Sequence, residues 1–255
     1  KLFPLLVIPL LVSPAVAQSV WNGAGTNWSS DAATGWNGTG VPNAIDATAN
    51  IDNGTGAIVV DGTYSLGTLT SAAKRALTTS VGGTLIFDVS TGNALFDFTN
   101  GLTSGTGTIG GFFTYSTNLQ LNDTTEFRSL VSTSSVNPIF SGTVSGVGQM
   151  LLTNVATTPS GGSVRFDLRN SANDFSGGIN VGHGVALRLN ASGAAGTGTI
   201  TLSSTSGAGL NNLDIRVDAS NPTQVHNNNI DFGSRGSGGT TIFTLQNDTM
   251  HVTLN

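Results

Sequence analysis

Three tryptophans, three histidines and one strand-like run of charges are the residues in this 255-residue chain whose types and spacing could do chemistry. Trp21, Trp28 and Trp36 are all the tryptophans, and they fall within one short stretch rich in Gly, Asn and Pro. Three coplanar exposed rings would make a sugar-stacking platform, since an indole offers a flat apolar face with a polar edge. The same rings could instead cover the open end of a repetitive core, as terminal caps do. Their placement in a turn-rich segment, and not along one strand face, favours the cap. His183, His226 and His251 stand alone, whereas a zinc site needs three or four converging ligands. Asp214 and Asp218 flank Arg216 on one strand-like run. Four residues along a strand span about 13 Å, which is wider than either glycosidase carboxylate pair. A surface charge ladder is the simpler reading, and Asp167 with Arg165 or Arg169 reads the same way.

Other signatures are missing from the sequence. It has no Asp-Asp pair, no Gly-x-Ser-x-Gly elbow and no Gly-Gly-x-Gly-x-Asp calcium repeat. Gly105-Thr106-Gly107 and Gly196-Thr197-Gly198 are followed by neither Lys nor a helical pattern, so they read as turns and not as phosphate loops. The expectation is a protein without cofactor or metal that is not an enzyme.

The elements that must carry these residues are strands. Charged residues are 9% of the chain against a usual quarter, and hydrophobic residues are 38%. Glu126 is the single glutamate, and Lys1 and Lys74 are the only lysines, so strong helix formers are scarce. Thr, Val, Ile and Phe suit a pleated surface. Ser and Thr make up about a quarter of the residues and can cover the outside without charge. A formal charge of −5 argues against nucleic acid, which needs clustered Lys and Arg. The arginines are spread singly along the sequence.

From residue 45 onward, short β runs alternate with Gly, Ser, Asn or Asp turns. Alternation of apolar and polar residues predicts strands at Ala57–Val60, Thr84–Val89, Leu95–Phe98, Phe112–Tyr115, Val164–Leu168 and Val185–Leu189. It predicts further strands at Thr199–Leu202, Leu213–Val217, Thr240–Leu245 and His251–Leu254. Phe140-Ser141-Gly142 and Phe175-Ser176-Gly177 open two similar units 35 residues apart, within the periods of repeat architectures. Each unit is too short to close a core alone, so stacking of units is expected. Rungs of 20–25 residues would then build a body roughly 50 Å long. Asn227-Asn228-Asn229 could form a ladder of amides within a turn or a plain exposed loop.

Residues 1–17 read as a signal peptide: an apolar run, Ser13-Pro14, and a small-x-small site at Ala15-Val16-Ala17. Residues 18–52 are expected to form a Trp/Gly/Asn-rich N-terminal cap segment. Residues 53–255 are expected to form a solenoid repeat region that stops inside a strand.

Asn173-Asp174-Phe175-Ser176-Gly177-Gly178, followed by Gly193 through Leu202, closely resembles the autotransporter-associated β-strand repeat. Ala195-Gly196 stands where that family has Leu-Gly. Phe140–Leu152 is similar to the accompanying Ser-Gly-x-Gly element. The segment from Trp21 through Pro42 to Ala49 resembles the opening of bacterial surface proteins that carry such repeats, although Ile51 stands where a Phe is usual. Together these cover about half of the chain beyond residue 17. The resemblance implies an all-β right-handed parallel β-helix, exported to the surface or exterior of a Gram-negative-type bacterium. It carries over no catalytic residue. The expected role is a structural stalk or adhesin whose partners are surface glycans or other surface proteins. Any membrane link would run through a C-terminal anchor or barrel beyond this sequence. The alternatives are a carbohydrate-binding module using Trp21, Trp28 and Trp36, or a β-helical polysaccharide-degrading enzyme.

Overall fold

A computed structural model describes residues 18–23, 25–29, 35–37, 40–51, 56–71, 76–79, 82–98, 111–130, 136–155, 164–203, 210–216, 224–233 and 240–246. The expected signal peptide and the His251–Leu254 strand lie outside these residues. Every regular element among them is a strand. In chain order these are β1 (Gln18–Trp21), β2 (Trp36–Asn37), β3 (Thr48–Asn50), β4 (Ile58–Val60), β5 (Thr63–Leu66), β6 (Thr68–Thr70), β7 (Leu77–Thr79) and β8 (Thr84–Phe87). There follow β9 (Ala94–Asp97), β10 (Gly111–Tyr115), β11 (Asn118–Leu121), β12 (Thr125–Ser129), β13 (Val136–Phe140), β14 (Val144–Gly146) and β15 (Met150–Asn154). The last are β16 (Val164–Leu168), β17 (Ile179–Val181), β18 (Val185–Leu189), β19 (Ile200–Leu202), β20 (Leu210–Arg216), β21 (Ile230–Asp231) and β22 (Thr240–Gln246).

These strands form three sheets, of ten, eight and four strands. From β3 to β15 the chain visits them in strict rotation, one strand to each, and returns one place further along. Among the described strands all pairings are parallel except β1 with β2. Parallel strands need a crossover, and here the other two sheets supply it. This all-β arrangement of many-stranded parallel sheets is compatible with a β-solenoid. Nine steps of about 4.8 Å give the ten-stranded face a length of roughly 43 Å.

Alternation in the sequence becomes two-sidedness in space. Ala49, Leu69, Phe96, Phe127, Leu152, Val181 and Leu202 form one inward column by register, each fully buried. Opposite them, Phe87, Tyr115, Phe140 and Phe166 fill the middle of the core. The Tyr115 and Phe140 rings stack at 5.4 Å, and Phe127 meets Phe140 edge-on at 5.5 Å. Burial raises the pKa of the Tyr115 hydroxyl, opposed in part by the Ser71 hydroxyl.

The spacing of the circuits differs from the expectation. One turn takes 19 residues from Ile58 to Leu77 and 38 from Leu77 to Tyr115. The 35-residue similarity is not the stacking period. Phe140 pairs with Leu168, while Phe175 lies in the turn after β16, its neighbours hydrogen-bonded to Val144 and Gly146. Similar peptides therefore occupy different walls, because turn chemistry and not circuit position makes them alike.

Beyond β14 the four-stranded wall continues as turns held by side chains. Asn173 accepts from the Val144 N–H at 2.8 Å and donates to the Ala194 carbonyl at 2.7 Å. Asn228 donates to the Gly198 carbonyl at 2.7 Å, so its donor amide serves the neighbouring backbone. Gly146, at φ 101°, passes so close to the Leu121 carbonyl that a Cβ would collide with it.

Truncating an inward ring should cost far more than truncating an outward residue of the same sheet. Phe127→Ala is expected to lower stability by about 3–5 kcal/mol, and Thr201→Ala by about 0.5 kcal/mol or less. Denaturant midpoints measured by circular dichroism check this, and equal losses would contradict the two-sided arrangement.

Candidate functional site

The tryptophans come from three pieces of chain that meet over one end of the core. β1 pairs in parallel with β3 and so starts the ten-stranded sheet. Asn27 bridges to Val59, with the Trp28 N–H donating to the Val59 carbonyl and the Val59 N–H to Thr26, each at 2.7 Å. Residues 18–28 thus lay a partial circuit over the first complete one. The chain then turns back, and β2 runs antiparallel along the outer edge of β1, setting Trp21 beside Trp36.

All three rings are 0% exposed. Trp36 meets Trp21 edge-on at 5.1 Å with an 86° interplanar angle, and Trp28 at 4.8 Å and 64°. The Trp36 indole donates to the Trp28 carbonyl at 2.8 Å. A sugar-stacking platform at Trp21, Trp28 and Trp36 requires exposed, coplanar faces; here the rings are enclosed and crossed. The cluster packs as a cap, because burying three indoles against the first rungs removes more apolar surface from water than any other residue type could.

A polar clasp holds this cap. The Asp61 carboxylate accepts from the Ser29 N–H at 3.0 Å, from the Ser29 hydroxyl, and from the Tyr64 hydroxyl at 3.0 Å. Tyr64 in turn packs on Trp28 at 6.0 Å. Burial pushes the Asp61 carboxyl up, but the Ser29 and Tyr64 hydrogen bonds outweigh it and hold the group below its ordinary 3.8. Burial, with Asp61 alongside, pushes the Tyr64 phenol up to about 12.

The remaining sequence candidates stay apart. His183 lies in the turn between β17 and β18. His226 touches Gln224 at 3.0 Å, and burial lowers its pKa. His251 and Asp218 lie outside the described residues. Among the described residues no three His, Cys, Asp or Glu side chains gather to hold a metal. No helix among them is long and apolar enough to cross a membrane.

The charge ladder, in contrast, is drawn together. Register sets Asp167 of β16 beside Arg188 of β18, and Arg188 beside Asp214 of β20. Asp167 was expected on a wet face, yet it is only 2% exposed. It is enclosed by the Arg169 guanidinium at 2.7 Å and the Asn190 amide. A second ion pair joins Glu126 and Arg128 at 2.5 Å on the outer side of β12, with Thr153 donating to Glu126 at 2.7 Å. Sequence spacing did not show that β16, β18 and β20, the strands that carry Arg165, Arg188 and Arg216, lie side by side.

Comparison with models of known families, with curated proteins and with solved structures found no match.

The clasp makes the cap sensitive to acid. A carboxyl with a lowered folded pKa contributes stability above its unfolded value and loses it as pH falls through the folded one. Tryptophan emission should therefore shift to the red and become quenchable by iodide below about pH 4. Asp61→Asn should show that loosened emission already at pH 7 and lose the acid step. Emission that is unchanged from pH 7 to 3 in both proteins would contradict the role of the clasp.

Proposed function

We propose that the chain is a right-handed parallel β-helix exported to the cell surface of a Gram-negative-type bacterium, where it serves as a structural stalk or adhesin of the autotransporter-passenger type. The observation that carries this reading is the stack itself. Ten strands in one face extend a single core with no branch, and the outward positions of that face are mostly Thr, Asn and other uncharged residues. Such a body resists bending and proteolysis and gains length simply by adding circuits. Right-handedness is supported by the general rule for crossovers between parallel strands of one sheet. Export is supported by the apolar run and small-x-small site of residues 1–17.

The motif residues that resemble the autotransporter-associated repeat fit a scaffold role. Phe175 is fully buried, Asn173 joins two neighbouring circuits, and Gly178 takes φ 79° in a turn. Each contributes to stacking and none presents a reactive group. The buried tryptophans remove the support for the carbohydrate-module alternative based on them.

Expression of the gene in a diderm host tests the proposal. The expected product begins at Gln18 and is reached by antibody or protease on intact cells. A product that keeps Lys1–Ala17 and stays in the cytoplasm would contradict it.

A further inference from the structure

We propose that His226 is a pH-sensitive latch: protonation of its ring releases residues 224–230 from the stack while the circuits beneath stay closed. The inference rests on hydrogen bonds and burial in that segment and does not depend on the stalk reading. Residues 224–230 alternate sides: Gln224, His226, Asn228 and Ile230 are half-buried, while Val225, Asn227 and Asn229 are exposed. Four ties hold the segment to the turn and strand beneath. The Val225 N–H donates to the Ser192 hydroxyl at 3.0 Å, and the Gly193 N–H to the Val225 carbonyl at 3.1 Å. The Asn228 amide donates to the Gly198 carbonyl at 2.7 Å, and the Ile200 N–H to the Asn229 carbonyl at 2.8 Å. In sequence, His226 stands between these two pairs of ties.

The ring fits there only without charge. Its Nε2 lies 3.0 Å from the Gln224 side-chain oxygen, an acceptor, so Nε2 carries the proton of the neutral ring. Its Nδ1 is buried and has no partner. A second proton would make Nδ1 a charged donor with nothing to receive it, and a buried donor without an acceptor is costly. The Asn228 side-chain oxygen is also buried and unpartnered, so it is not within hydrogen-bond reach of Nδ1. Pairing a protonated Nδ1, with water or with Asn228, requires the segment to shift.

Among the described residues no neighbouring charge offsets that cost. Nothing from Asn190 to Ser203 or from Thr240 to Gln246 is titratable. Asp231 is the only other ionisable residue in 224–233, and alternation sets it, exposed, on the other side. Asp214 and Arg216 lie on β20 in the eight-stranded sheet and have opposite signs. Burial therefore lowers the His226 pKa from its ordinary 6.5. The released segment takes up the proton more readily than the docked one. Docking is strongest above pH 6.5 and weakens as pH falls below it, through the folded pKa. This window opens at higher pH than the acid step of the Asp61 clasp, so the two ends of the described stack respond separately. Release leaves the Ile200 N–H and the Gly198 carbonyl open, as edge groups that can pair with another strand.

The test is amide hydrogen exchange of the full chain between about pH 7.5 and about pH 5, corrected for the intrinsic pH dependence of exchange, with the His226 ring followed by proton NMR. Protection of the Gly193, Val225 and Ile200 amides should fall by up to about tenfold per pH unit below 6.5, the limit for one proton. The Leu119 and Met150 amides, deeper in the stack, should keep theirs. His226→Gln cannot take up the proton and should abolish the fall. Should that variant fold poorly, the unaltered protein decides: its His226 ring must titrate below 6.5, over the same range as the three amides. Equal pH dependence in both sets of amides, a fall that survives in His226→Gln, or a ring that titrates at or above 6.5 would overturn the proposal.

Discussion

The constraint on which the rest depends is that no circuit of this chain can bury its own apolar side. A strand of three to five residues contributes one to three inward side chains, and these become dry only when the next circuit sets its own beside them. Backbone donors and acceptors obey the same rule, since each parallel strand bonds to the circuits before and after it. The register therefore has to hold from strand to strand, while the connections need not. The circuits vary from 19 to 38 residues, yet Ala49, Leu69, Phe96 and Phe127 remain in one column. Such variation in connection length is tolerated because the loop-closure entropy it costs grows only slowly with length.

The same constraint explains the ends. At the near end of the described stack, three crossed indoles and an antiparallel edge strand lie against the first circuit. At the far end of the described stack, Phe232 follows Leu202 by register but is 46% exposed, where Leu202 is 0%. The contrast measures what a neighbouring circuit provides. Corners show it too: where strands stop, Asn173, Asn228 and Asp61 make side-chain hydrogen bonds to the backbone that a ladder would otherwise supply. A low-charge exterior is consistent with this, because amides and hydroxyls can donate, accept and lie close-packed at about 4.8 Å spacing without repelling their own copies.

Much of this was legible in the sequence wherever alternation was strict. Val164–Leu168 and Val185–Leu189 have the boundaries that their apolar periodicity predicts, and Ile58–Val60 and Ile200–Leu202 fall within one residue of theirs. Shorter strands such as Thr48–Asn50 and Ile179–Val181 carry too few residues to establish a period, and their parallel partners establish them instead. The 35-residue likeness of Phe140 and Phe175 reflects a shared turn, and a shared turn does not fix the circuit. At the candidate sites, residue identity was readable but environment was not. Nothing in Trp21, Trp28 and Trp36 as letters distinguishes a platform from a cap, and the pairing of Asp167 with Arg188 and of Arg188 with Asp214 emerges only from the strand register.

The most direct test of in-register stacking is a set of distances along one outward column. The chain has no cysteine of its own, so paired cysteines carrying spin labels can be placed on Thr48, Thr68, Asn180 and Thr201, which share that column. Thr68 and Asn180 are four strands apart, and Thr48 and Thr201 six. The account predicts separations of about 19 Å and about 29 Å, one strand spacing per circuit. Separations that do not grow with the number of intervening strands would contradict it.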